Sequence, residues 1–137
     1  MPVFRRRFEL ETRAHNEVID LTDKVRAVVA ESGVSDGICT VFTPHATAAI
    51  AINENDDPNI GVDLLRALTT IVVEHDGWLH DRIDDNAAAH IKSAILGPSE
   101  TIPIENGRLA LGTWQNVFFV ELDGPRSRRG IVVVVVG

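Results

Sequence analysis

The sequence predicts an α+β fold: one compact domain over residues 1–137, with antiparallel, sandwich-like sheets and about three helices packed on one side. Three observations predict it. Extended-chain alternation opens the chain and returns in its last third, where Asn106-Gly107 between two apolar arms is the strongest short-range hairpin signal a sequence offers. Between these strand regions lie three stretches marked as helices by apolar spacing, N-cap residues and Gly or Pro stops. A length of 137 residues at 45% hydrophobic suits a single core and leaves no room for a separate cofactor domain.

Residues 3–11 hold Phe4, Phe8 and Leu10 two or four apart, an opening strand with Arg5 and Arg7 on the opposite side. Val18-Ile19 makes a short second strand. Thr22 then caps a helix to about Ser32, with Val25, Val28 and Val29 inward and Gly33 as its stop. Two β segments follow, 38–43 and 46–52. Pro44 between them removes a ladder donor and places His45 at a strand junction. In the next turn Asp57 is an N-cap and Pro58 a first helical position, and Ile60, Leu64, Leu68 and Ile71 share one buried face. Residues 74–84 are irregular and polar. Asp84 or Asp85 caps a third helix, 86–96, with Ile91 and Ile95 inward and Gly97-Pro98 as stop. Three or four strands complete the chain: the hairpin at 104–109, a strand whose alternation puts Thr113 and Gln115 on one face and Trp114 on the other, and residues 131–136. The five successive valines of that last strand imply burial on both faces, as of a strand between another layer and a neighbouring subunit.

A net charge of −7 argues against general binding to nucleic acid or anionic membrane, so any phosphate must be held by a local cluster of cations. The longest apolar run, 131–136, is far below the ~20 residues a membrane helix needs, and no signal-peptide core follows Arg5-Arg6-Arg7; a soluble, cytoplasmic protein is expected. Cys39 is the single cysteine, which excludes an internal disulfide and a multi-thiolate zinc site, and its place in an alternating strand makes it a buried residue. No Walker loop, Gly-x-Gly-x-x-Gly or Gly-x-Ser-x-Gly is present, so nucleotide-dependent or serine-hydrolase chemistry has no support.

Three separated motifs carry the remaining information: Pro44-His45-Ala46-Thr47, then Asp85-Asn86-Ala87-Ala88-Ala89-His90-Ile91-Lys92, then Leu111-Gly112-Thr113-Trp114-Gln115 with Gly124-Pro125-Arg126 beyond it. Through them residues 42–137 resemble the YjbQ-like family, also called the secondary thiamine-phosphate synthase family. The resemblance implies a compact α+β subunit, a homotrimer with sites near subunit boundaries, and a histidine-lined pocket.

His45, His80 and His90 are the candidate metal ligands, since imidazole suits a catalytic divalent site with one position open. No local spacing such as His-Glu-x-x-His supports them, and residues alone favour a hydrogen-bonded polar role for each; it is the resemblance that supports ligation, since the family's histidines fall at these positions. The implied cofactor is a divalent metal, Zn²⁺ or Mg²⁺. His15 and His75, in polar surroundings outside the motifs, read as dispensable. Asp57 and Asp84 or Asp85 are explained as helix caps, whereas Glu54 is not, which makes it the acid candidate beside His45 and His90 in a catalytic set. For a phosphate, Lys92 and Arg126 supply charge, although Lys92 sits about 200° around its helix from His90. Arg126 is expected to aim inward while Arg128 and Arg129 stay solvated. Thr47, Ser99, Thr113 and Gln115 supply neutral hydrogen bonds to phosphate or to a heterocycle.

The leading expectation is a small trimeric enzyme resembling thiamine-phosphate synthase, which joins an aminopyrimidine diphosphate to a thiazole phosphate and releases pyrophosphate. Two rivals use the same residues: a metal-dependent hydrolase of a small phosphoester with Glu54 as general base, and a non-catalytic metal- or anion-binding trimer. The expected partners are a small phosphorylated molecule and further copies of the chain, with no nucleic acid and no membrane.

Overall fold

The computed structural model describes residues 2–137, which form two antiparallel sheets and three α-helices. In chain order the elements are β1 (Val3–Leu10), β2 (Glu17–Asp20), α1 (Thr22–Ser32), β3 (Gly37–Phe42), β4 (Ala48–Asn53), α2 (Asn59–Ile71), a 3₁₀ turn (Leu79–Arg82), α3 (Ala87–Leu96), β5 (Ser99–Glu105), β6 (Arg108–Leu109), β7 (Asn116–Glu121) and β8 (Arg129–Val136). The larger sheet runs β1-β8-β3-β5-β6 and the smaller β2-β7-β4. Their facing sides, closed by α1, share one core containing Val25, Val29, Val41, Ile50, Phe119, Ile131 and Val133. The opposite side of the smaller sheet is covered by α2 and α3, where Ala49, Phe118 and Val120 meet Leu65, Ala89 and Leu96.

Local sequence explains the strands. Ile131, Val133 and Val135 of β8 face the core, while Val132, Val134 and Val136 form a row on the outer face between Arg7, Arg5 and Val3 on one side and Phe42, Thr40 and Ile38 on the other. The valine run is therefore a central strand, fully buried inward and only partly covered outward within one chain. Cys39 is completely buried in β3, and that burial pushes its thiol up to about 11. At the hairpin Asn106 and Gly107 take φ of 52° and 76°, the type I′ turn their sequence predicts, pairing Ile104 with Leu109.

The helices form where expected, and α1 turns Val25, Val28 and Val29 inward as expected, whereas α2 and α3 differ from the expected faces in part. Thr22 is the first residue of α1 rather than its cap: Asp20 Oδ1 accepts the Thr22 N–H at 2.8 Å, and Thr22 Oγ1 accepts the Val117 N–H at 2.9 Å. In α2 the buried positions are Gly61 and Leu68, while Ile71 is exposed. Gly61 lies so close to Val18 that an added Cβ would sit 3.4 Å from its Cβ, so the helix closes on β2 through a residue that apolar spacing ignores. In α3 the inward face is Ala87, Ala88, Ala89, Lys92 and Ser93, with Ile95 outward and Ile91 half-buried. The alanine-rich β4 demands small partners, and Ser93 Oγ donates to the Ala48 carbonyl at 2.6 Å. No helix among the described residues is long and apolar enough to cross a membrane.

Candidate functional site

Two polar clusters flank the 121–128 turn that joins β7 to β8. The inner one is closed. Glu121, the last residue of β7, and Arg129, the first of β8, are both buried and paired: Arg129 Nε donates to Glu121 Oε1 at 2.8 Å, and Nη2 donates to Glu121 Oε2 and to Thr47 Oγ1, the latter at 3.0 Å. Glu121 also accepts from Thr12 Oγ1 and from the Leu122 and Asp123 amides. Burial alone would raise its carboxyl; the Arg129 and Thr12 hydrogen bonds outweigh it and hold the group below the usual range. Beside this pair, the Gly130 N–H donates to His45 Nε2 at 2.8 Å, which places the ring proton on Nδ1. Burial, with Arg129 adding repulsion, keeps the His45 pKa below its ordinary value.

The outer cluster is a cleft of about 160 Å³ lined by His15, Glu74, His75, Asp81, Asp85 and Asn86, with Ala88 and Ala89 of α3 behind. The irregular stretch after α2 folds back over the start of α3, so that Asp81 Oδ1 accepts the Ala87 N–H at 2.9 Å, the helix-start role expected of Asp84 or Asp85. Asp85 is instead left-handed, with φ of 57°, as is His75. His75 Nδ1 lies 3.0 Å from Asp85 Oδ1 and 3.9 Å from Asp81 Oδ2. His15 Nε2 meets Glu74 Oε1 at 2.7 Å, and this bond raises the His15 pKa. Asn86 Nδ2 donates to Asp123 Oδ2 at 2.9 Å, the oxygen that also takes Arg126 Nη2 at 2.8 Å. Next to the cleft, the His80 and His90 rings stand edge to face with centroids 4.8 Å apart, and His80 Nε2 is buried without a hydrogen-bond partner.

Lys92, one turn along α3 from Ala88, is buried, with 1% of its surface exposed. Desolvation lowers its pKa, and the opposing pull comes from Glu74 across the cleft wall.

The predicted site residues thus divide. His80 and His90 come together, but His45 does not join them in a three-histidine metal centre within one chain: its Nε2 is occupied by Gly130, and the group of metal-ligating side chains that does converge among the described residues is His75, Asp81 and Asp85. Glu54 follows the far end of β4, six residues and roughly 20 Å from the end near His45, so the catalytic set Glu54, His45 and His90 is not assembled within one chain. Thr47 is buried and committed to Arg129. Ser99 is exposed at the start of β5. Thr113, Trp114 and Gln115 form an exposed turn, not a strand, because Gln115 Oε1 accepts the Gly112 N–H at 2.8 Å and the Gln115 N–H returns to the Gly112 carbonyl. Arg129, expected in solvent, is the buried cation; Arg128 is the solvated one, and Arg126 is half-exposed. His15 and His75, expected to be dispensable, line the cleft. The signal that could have found them is the patternless stretch 74–84 itself, a loop rich in ligating side chains between two helices.

A family model described as UPF0047 protein YjbQ-like matches residues 6–137. The chain is 46% identical over 123 residues to a UPF0047 protein of Archaeoglobus fulgidus, spanning 90% of this chain and 94% of that one. It is 40% identical over 129 residues to UPF0047 protein MJ1081 of Methanocaldococcus jannaschii, spanning 94% and 92%. Among solved structures, a YbjQ-like protein of unknown function from Sulfolobus solfataricus superposes with a TM-score of 0.97 at 40% identity, over 99% of this chain and 98% of that one.

Proposed function

The chain belongs to the UPF0047 YjbQ-like family, and from that premise we propose that it is a small enzyme acting on a phosphorylated heterocycle, by a transfer of the thiamine-phosphate synthase kind. The observation that carries this reading is the burial of the Lys92 side chain, whose charged form is disfavoured by desolvation. Burying a cation is costly, and an anion beside it offsets that cost. Arg126 supplies a second charge, linked through Asp123 to Asn86 in the cleft wall.

In that reaction a thiazole nitrogen forms a C–N bond to the pyrimidine methylene carbon while the C–O bond to diphosphate breaks, its electron pair leaving with pyrophosphate. The barrier lies in separating charge, so the site's task is to neutralise the leaving diphosphate and exclude water. Lys92 and Arg126 serve the first need, and the hydrogen-bonded walls of the cleft serve the second. No covalent nucleophile is required. The rival in which Glu54 activates water for phosphoester hydrolysis is weaker, since Glu54 stands at the other end of β4. In this reading the protein's partners are the small phosphorylated molecule and further copies of the chain; the outward Ile71, Leu79, Ile83 and Ile95 support assembly as a homotrimer.

Calorimetric titration with pyrophosphate tests the anion site. Lys92→Met and Arg126→Ala should each weaken binding by about 1.5 to 3 kcal/mol, the range for a charged hydrogen bond, and Lys92→Met should fold at least as stably as the wild type. Equal affinity in all three proteins would remove the reading.

A further inference from the structure

We propose that His75, Asp81 and Asp85 form a divalent metal site of the zinc type, with one imidazole and two carboxylate ligands and an open fourth position facing the cleft. The inference rests on ligand geometry and does not depend on the phosphorylated-substrate reading. One ligand atom from each residue lies within 4.8 Å of the other two. Zn–N and Zn–O bonds of about 2.1 Å at tetrahedral angles separate ligand atoms by about 3.4 Å. The separations from His75 Nδ1, 3.0 Å to Asp85 Oδ1 and 3.9 Å to Asp81 Oδ2, bracket that value, and with all three ligand atoms within 4.8 Å of one another an ion is accommodated once the two carboxylates close toward each other by about an ångström.

A second observation points to a cation. Asp81 Oδ2 is shut off from solvent and receives no hydrogen bond, although its partner oxygen is satisfied by Ala87. Asn86 Oδ1, in the same cleft lining, is likewise buried and without a donor. Buried carboxylate and amide oxygens are normally paired, and two unpaired ones in one small cleft are what a bound cation and its water would satisfy. The neighbouring His15 and Glu74 pair with each other and do not compete for the ion. An ordinary His75–Asp85 ion pair accounts for the 3.0 Å contact but leaves Asp81 Oδ2 unexplained.

The test is titration of the full chain with Zn²⁺ by calorimetry, and with Co²⁺ by visible absorption, which reports tetrahedral coordination. His75→Gln and Asp85→Asn should each weaken Zn²⁺ at least tenfold and abolish the Co²⁺ bands. Asp81→Asn should do the same while keeping an oxygen for the Ala87 amide, so that loss of binding is separable from loss of the helix start. His90→Ala should leave the affinity within about threefold, because His90 belongs to the adjacent imidazole pair. Absence of Zn²⁺ binding below millimolar concentration, unchanged affinity in His75→Gln and Asp85→Asn, or loss confined to His90→Ala would each overturn the proposal.

Discussion

The inner cluster around Glu121 and Arg129 and the outer cleft around Asp81 and Asp85 use similar residue types on either side of one turn, and they end in opposite states. Inside, both carboxylate oxygens of Glu121, the guanidinium of Arg129 and the hydroxyls of Thr12 and Thr47 are all engaged. Outside, Asp81 Oδ2, Asn86 Oδ1 and His80 Nε2 are buried and unpartnered. A satisfied polar network is part of the scaffold; an unsatisfied one implies that something else completes it. Sequence motifs do not distinguish the two, since Thr47 and His45, which sit in one, belong to the scaffold side.

The largest effect that sharpens this contrast is expected at Arg129. Arg129→Ala leaves the Glu121 charge buried and unpaired and should cost about 3 to 5 kcal/mol in urea denaturation, whereas Arg126→Ala, removing a half-exposed pair, should cost under about 1 kcal/mol. Comparable losses would erase the division between scaffold and site.

The two histidines that border these clusters should respond to pH with opposite sign. The folded pKa of His45 is lowered, so the fold favours its neutral ring: that stability is present above the ordinary value of 6.5 and is lost as pH falls through it toward the folded value. His45→Ala should cost about 1 to 2 kcal/mol at pH 8, by orphaning the Gly130 amide, and should flatten the wild type's decline in melting temperature between pH 7 and 5. An unaltered slope would mean that His45 is not the group being titrated.

The smallest effect is expected at His15. Its folded pKa is raised by Glu74, so its contribution is complete below 6.5 and is lost as pH rises through the folded value. The pair is largely exposed, and His15→Ala should change stability by less than about 0.5 kcal/mol at pH 6, fading to nothing at pH 9. A larger loss, or one that grows at alkaline pH, would make this cleft residue part of the scaffold after all.

Strands and the hairpin were legible because alternation and Asn-Gly chemistry are local. Helix faces were less so. Apolar spacing points to Ile71 and Ile95, but beside Leu65 and Leu96 the contact with the smaller sheet is made by Gly61, the alanines of α3 and Ser93, residues whose value is their smallness rather than their hydrophobicity. The Gln115 turn was hidden because a side-chain hydrogen bond, not a backbone propensity, closes it. Arg129 looks solvated in sequence for a similar reason: burying a guanidinium depends on Glu121 and Thr47 arriving with it, and single-residue character carries no trace of that. In the cleft, Asn86 lies in a motif legible by pattern, while His75 and Asp81 enter its lining only because a loop folds back on a helix start.

The position of β1 at the border of the larger sheet has one more consequence. An eight-residue strand paired on one side only presents a row of free amides and carbonyls, the template on which stray strands of other molecules add and aggregates grow. Here that strand carries Arg5, Arg6 and Arg7 in succession, with Arg6 folded over Phe4 at 4.1 Å and bound to Glu31. A second copy adding in register would stack like charge on like charge, so the three arginines act as a local guard against sheet extension in a protein whose overall charge is negative.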